Sequence, residues 1–198
     1  ASGLESMLNV SVFPLSKKFK KYNRFIFENR ARFYETINVR LFAGRLNRQG
    51  KAQINWTLPS FSDAPSALAA RIEARVTERG GRPAKNFLLL SIDPYNYYVG
   101  IDKSALRYGS MTLQKEIKLP VILLDSQGTE APGRTLNYRI YHNEQHWWWE
   151  YSSSDRYRLR FKSDKNTKLI RKGTLISGRT PVLLSFTPQK QGKYLVEV

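Results

Sequence analysis

Apolar and polar residues alternate with a period of two along most of this chain. Ile37, Val39 and Leu41 interleave with Asn38 and Arg40; Ile54, Trp56 and Leu58 interleave with Asn55 and Thr57; Ala70, Ile72, Ala74 and Val76 interleave with Arg71, Glu73, Arg75 and Thr77. Successive side chains of a strand point to opposite faces, so this alternation predicts half-buried β-strands. The first two runs flank a turn at Arg48-Gln49-Gly50 and read as a hairpin, with Trp56 expected in the core between Ile54 and Leu58. The third run stops at Gly80-Gly81, and Phe87 to Ile92 follows as a short, continuously apolar strand. The same style returns at Ile117, Pro120 to Leu124, Leu136 to Tyr141, Tyr157 to Phe161, Thr174 to Ile176, Val182 to Phe186 and Tyr194 to Val198. In the last of these a turn at Gly192 leads into a strand with Tyr194, Val196 and Val198 on one face and Leu195 and Glu197 on the other. The sequence stops where that strand stops, as a section of a larger protein would.

Many short strands separated by Gly, Pro, Asp and Asn turns predict an all-β fold of two tandem antiparallel β-sandwiches, immunoglobulin-like or fibronectin-like. The strand pattern breaks at Asp93-Pro94-Tyr95-Asn96 and a new β run opens at Tyr98, so the expected domains are residues 1–96 and 97–198. Lys17 to Tyr34 is the least regular stretch, and FIFENRARF fits a turn or two of helix as well as a strand and loop.

Composition narrows the function classes. With 41% hydrophobic and 13% aromatic residues the chain is globular, and no apolar run approaches the ~18 residues of a membrane span. ASGLESMLNVSV carries neither the charged nor the apolar region of a signal peptide. The absence of cysteine removes disulfides, thiolate metal sites and a thiol nucleophile from these residues. A formal charge of +17 invites a polyanion partner, but the excess is spread nearly evenly over both halves. Its two local runs, Lys17, Lys18, Lys20, Lys21 and Arg24, and Arg156, Arg158, Arg160 and Lys162, read first as a solvated loop and the wet face of a strand, so nucleic acid is not the expected partner.

No catalytic constellation stands out. His142 and His146 bracket Glu144 in HNEQH, whereas a zinc-protease helix needs HExxH. On a strand those three would share a face, but no fourth ligand is suggested, and an exposed polar strand is the favoured reading. There is no GxSxG elbow and no Gly-rich phosphate loop, so no enzyme, cofactor or metal is expected. Beside HNEQH stand Trp147, Trp148 and Trp149. A strand would put Trp147 and Trp149 on one face and Trp148 on the other, and buried indole N–H groups would need partners.

The series INWTLPSF, LAARIEARVTERGGR, SIDPYNYYVGI, LNYRIYHNEQHWWWEY, GTLISG, SFTP and GKYLVEV resembles, in order and spacing, the central part of bacterial alpha-2-macroglobulins, from Phe42 onward. The resemblance implies successive macroglobulin-like β-sandwich domains of about 100 residues each, the first over Asn9 to Ile92 and the second over Tyr98 to Val198. It implies a non-catalytic fragment of a broad-spectrum protease inhibitor or trap, with proteases and neighbouring macroglobulin-like domains as partners and a cell-envelope or periplasmic location. It also puts the tryptophan hairpin and the basic stretch after it in the area of the bait that proteases cut. The family's reactive thioester needs a cysteine and lies outside these residues.

A bait must be extended, accessible and chemically diverse, and Tyr151, Arg156, Tyr157, Arg158, Arg160, Phe161, Lys162 and Lys165 between small polar residues meet that need. The competing reading is an ordinary hairpin strand with Arg156, Arg158, Arg160 and Lys162 wet and Tyr157, Leu159 and Phe161 inward, which the strict alternation favours. Two other functions stay open. One is a carbohydrate-binding sandwich stacking sugars on Trp147, Trp148 or Trp149 with Tyr141 or Tyr151 beside them; the other is a polyanion-binding module using the basic runs.

Overall fold

The structure is a computed structural model that describes residues 2–102, 104, 112–143 and 167–198. It is all-β: among the described residues eleven strands form three antiparallel sheets, and the sole helical element is a 3-10 turn at Lys20–Tyr22. The chain divides into two compact units. Unit 1 comprises Ala1–Ser16 and Arg32–Pro94, and unit 2 comprises Lys17–Ala31 and Tyr95–Val198. Residues 17–31, expected inside the first domain, thus belong to the second unit.

In unit 1, strands β1 (Glu5–Leu15), β3 (Ile37–Arg45), β4 (Ala67–Thr77) and β5 (Pro83–Ile92) make one sheet in the order β3-β1-β4-β5. Val10 and Val12 of β1 lie opposite Ile72 and Ala70 of β4, and Val10, Val12, Leu68 and Ala70 are buried. The expected hairpin between 37–41 and 54–58 does not form. Its turn does, closed by Asn47, whose Oδ1 accepts from the N–H groups of Gln49 and Lys51 at 3.0 and 2.9 Å. The neighbour of β3, however, is β1, and residues 51–61 contain no strand. Alternation reports two faces of unlike polarity, not which strand supplies the hydrogen bonds. Trp56 is accordingly half-buried and Leu58 exposed, instead of forming a core. The β4–β5 hairpin follows the sequence reading: Gly81 adopts φ +80°, its N–H donates to the Glu78 carbonyl at 2.9 Å, and Thr77 faces Pro83.

Unit 2 is a sandwich. One sheet runs β10-β7-β6-β2 and the other β11-β8-β9, built from β2 (Phe25–Ile26), β6 (Tyr97–Asp102), β7 (Ile117–Asp125), β8 (Thr135–Asn143), β9 (Thr167–Ile176), β10 (Val182–Phe186) and β11 (Lys193–Glu197). Alternate residues meet between the sheets: Ile117, Leu119, Val121 and Leu123 from β7, Leu136, Tyr138 and Ile140 from β8, Leu184 and Phe186 from β10. Tyr194, Val196 and Val198 pack against this core from the terminal segment, as their shared face predicts.

Strand β7 reads Val-Ile-Leu-Leu at its centre because its other face is buried too. Ile122 and Leu124, with Tyr98 of β6, form a second cluster with Phe19, Tyr22 and Phe27 of the 17–31 segment. The Phe19 and Phe27 rings meet edge-on at 4.8 Å. Burying three aromatic side chains, at roughly 2 kcal/mol each, makes the segment a third layer of unit 2. Gly100 marks the docking point: a Cβ there would fall 2.4 Å from the Phe27 ring. Gly100→Ala should therefore cost about 1 to 3 kcal/mol by overpacking. Combined with Phe27→Leu in urea unfolding, it should cost less than the sum of the two single changes.

Candidate functional site

Two places in unit 2 gather polar groups around a defined frame. The first is the 17–31 segment. Its basic run is tied down at three points: Lys21 Nζ donates to Glu130 Oε1, Arg24 Nε faces Asp102 Oδ2 at 3.5 Å, and Lys17 Nζ sits 5.5 and 5.2 Å from the Phe19 and Tyr98 ring centres. Tyr22 also donates its hydroxyl to Glu130 Oε1 at 2.6 Å, and Asp102, almost fully buried, accepts the N–H of Ser104 at 2.8 Å. Further along, Asn29 Nδ2 reaches Glu197 Oε1 at 3.4 Å. The sequence predicts a solvated loop for Lys17, Lys18, Lys20, Lys21 and Arg24, and the side chains of Lys21 and Arg24 are each 71% exposed. The structure spends Lys17, Lys21 and Arg24 on partners far along the chain, which the sequence could not pair.

Glu130 feels this most. Hydrogen bonds from Lys21 and then Tyr22 lower its pKa from 4.5 to about 2. The same contact raises Lys21, while burial and then the hydrogen bond to Glu130 raise Tyr22. Asp125, which caps the neighbouring turn by accepting from the N–H groups of Thr129 and Gln127 at 2.9 Å each, is lowered chiefly by the Thr129 backbone bond.

The second place is the open end of the β8–β9 hairpin. The ladder runs from Thr135 opposite Ile176 to Asn143 opposite Thr167, with a bulge at Ile140/Tyr141. Strand β9 begins well before the expected Thr174, since Leu169 and Ile170 lie among Lys and Arg and are half-exposed. Tyr138 covers Gly173, where a Cβ would meet its hydroxyl at 2.7 Å. At the open end His142 is buried, contrary to the exposed strand expected, with Nε2 2.9 Å from the Gln191 carbonyl oxygen and its ring 4.8 Å from Tyr194. Gly192, at φ +139°, leaves the room: a Cβ there would fall 2.6 Å from His142 Nε2. His142 thus serves the turn before β11. Tyr141 is half-buried. Glu144, His146, Trp147, Trp148, Trp149, Tyr151, Arg156, Tyr157, Arg158, Arg160, Phe161, Lys162 and Lys165 lie outside the described residues.

The two units correspond to two tandem matches to known domain families. Residues 1–94 match the bacterial alpha-2-macroglobulin MG5 domain, and residues 100–198 match bacterial macroglobulin domain 6. The chain belongs to the bacterial alpha-2-macroglobulin family. No curated protein matches it. Among solved structures it is similar to trypsin-activated alpha-2-macroglobulin from Escherichia coli, with 17% identity and a TM-score of 0.59 over 96% of this chain and 13% of that one. Escherichia coli alpha-2-macroglobulin activated by porcine elastase gives 15% identity and 0.55 over 95% of this chain and 17% of that one. Salmonella alpha-2-macroglobulin reacted with methylamine gives 17% and 0.52 over 100% and 13%. At such identities the likeness is one of fold, and this chain spans 13% to 17% of those structures' length.

The Glu130 contact sets an acid dependence. A carboxylate whose folded pKa lies below its unfolded value stabilises the fold above the unfolded value, and that stabilisation is lost as pH falls through the folded value. The melting temperature should drop between pH 4.5 and about 2, and Glu130→Gln should flatten part of that drop while lowering stability at neutral pH. Asp125 supplies a further part of the same slope, so a Glu130→Gln profile that parallels the wild type throughout would refute the assignment.

Proposed function

We propose that this chain is a non-catalytic scaffold of a longer alpha-2-macroglobulin-like protease trap. Residues 144–166 carry or adjoin its bait, with Tyr151, Arg156, Tyr157, Arg158, Arg160, Lys162 and Lys165 as the bonds offered to trypsin-like and chymotrypsin-like enzymes. The observation that carries this reading is the match of both halves, in order, to consecutive macroglobulin domains. It is supported by two of the similar structures, which are of alpha-2-macroglobulins activated by proteases. The frame also suits the role. Asn143 and Thr167 pair across the ladder, so a segment between them starts and ends at one point and its scission leaves the β8–β9 pairing in place. Proteases and adjoining macroglobulin-like domains are the partners, and the cell envelope or periplasm is the location. No helix among the described residues is long and apolar enough to cross a membrane.

Limited trypsin digestion of the native chain tests this. The first cuts should fall between Arg156 and Lys165, and the two pieces should stay associated until denaturant is added, held by the ladder and by the core between the sheets. Lys21 and Arg24, engaged with Glu130 and Asp102, should be cut late. First cleavage in Lys17 to Arg24 or at Gly80 to Arg82, with Arg156 to Lys165 intact, would overturn the bait assignment.

A further inference from the structure

Strand β5 combines features that ordinarily exclude one another. Phe87 to Leu90 is continuously apolar, with Ile92 beyond Ser91, the pattern of a strand buried on both faces. Yet Phe87, Leu88, Leu89 and Leu90 are 63, 55, 57 and 44% exposed, and successive residues point to opposite sides, so both faces are open. Among the described residues the strand also stands at the end of its sheet beyond β4, with no strand on its outer side. An outer edge strand leaves half of its backbone N–H and C=O groups without ladder partners. Natural edges are blunted by charge, proline or bulges. Here Pro83, Lys85 and Asn86, whose Oδ1 accepts the Phe87 N–H at 2.9 Å, guard only the first half of the strand; the β4 ladder runs through Thr77–Pro83 to Leu68–Ile92 without a bulge, and the Leu88-Leu89-Leu90 stretch carries no charge. On the face of Phe87 and Leu89 the neighbouring β4 residues are Glu73 and Arg71, an ion pair at 3.6 Å whose guanidinium lies 5.1 Å from the centre of the Phe87 ring; Leu88 and Leu90 stand beside Ile72 and Ala70.

We propose that β5 is the docking edge for an extended apolar segment of the same polypeptide lying outside these 198 residues. Such a segment would pair with the β5 backbone and place apolar side chains against Phe87 and Leu89 on one side and Leu88 and Leu90 on the other. The inference rests on the reading that these two domains are a section of a longer alpha-2-macroglobulin-like chain. Two observations choose this occupant. The similar structures are several times longer than the part this chain matches, so most of such a polypeptide is available to supply the segment. A second copy is disfavoured, because each carries a formal charge of +17 and two would repel. An intramolecular segment also meets the edge at high effective concentration, which suits a contact made mainly of side-chain burial and a few backbone bonds.

Hydrogen exchange on the 198-residue chain and on the full-length protein, each intact, tests the proposal. Amides of residues 83–92 should exchange about tenfold or more slowly in the full-length protein. Leu88→Lys and Leu89→Lys should leave the melting temperature of the 198-residue chain unchanged, since both side chains stand in water there, and should abolish the added protection in the full-length protein. Equal exchange of β5 in the two proteins would overturn the docking. So would a dimer of the 198-residue chain in sedimentation equilibrium that Leu88→Lys returns to monomer, because the occupant would then be a second copy. A full-length protein that protects β5 yet retains no protease would support the docking while removing the trap function, so the two readings fail separately.

Discussion

The burial of the outer face of β6 and β7 beneath residues 17–31 is the constraint on which unit 2 depends. A two-sheet sandwich needs one apolar face per sheet, but β7 has two, and Ile122 and Leu124 would face water without Phe19, Tyr22 and Phe27 above them. The energetic order of the contacts is clear. Three buried aromatic side chains at about 2 kcal/mol each hold the segment, whereas the exposed ends of Lys21 and Arg24 fix its position and add little. The glycines agree with that order. At Gly100 and Gly128 a side chain would strike the Phe27 and Phe19 rings, so backbone and ring approach as closely as the chain permits.

Chain connectivity gives the segment a second consequence. It leaves unit 1 after Ser16 and returns at Arg32, between the strands β1 and β3 that pair with each other, and the chain passes again to unit 2 after Pro94. The two units are therefore joined by three crossings instead of a single linker. Two of those crossings flank a segment anchored in unit 2, and detaching it would expose Tyr98, Ile122 and Leu124. Folding of unit 2 thus requires residues that precede most of unit 1 in sequence, a non-local dependence that slows folding in the manner of other high contact-order β topologies.

What the sequence revealed follows from which physical signals are local. The β4–β5 hairpin, the β7, β8 and β10 strands and the inward set Tyr194, Val196 and Val198 were legible, because alternation and the glycine turns act over a few residues. The segment 17–31 was not, since its rings bury themselves against strands about a hundred positions away and its lysines pair with Glu130. Strand β1 was passed over although Leu8, Val10 and Val12 alternate with Asn9 and Ser11. That omission left β3 without its true neighbour and made 54–58 look like the missing strand. His142 was misjudged for a related reason: the Gln191 carbonyl and the gap at Gly192 that bury it come from a distant turn. The three tryptophans and the basic stretch after them lie outside the described residues.

The β8–β9 ladder explains how the sandwich can carry a long connection between two paired strands. Inserting residues into a hairpin costs loop-closure entropy that grows only with the logarithm of length, so a long connection is tolerated if the ladder beside it is self-sufficient. Here the ladder extends from Asn143–Thr167 to Thr135–Ile176, and β8 is secured on its other side by β11, on its inner face by the sandwich core, and at its end by His142 against Tyr194. None of those contacts runs through residues 144–166. The burial that stabilises unit 2 therefore does not depend on the covalent continuity of that connection, and the closure entropy is the one term the connection itself contributes.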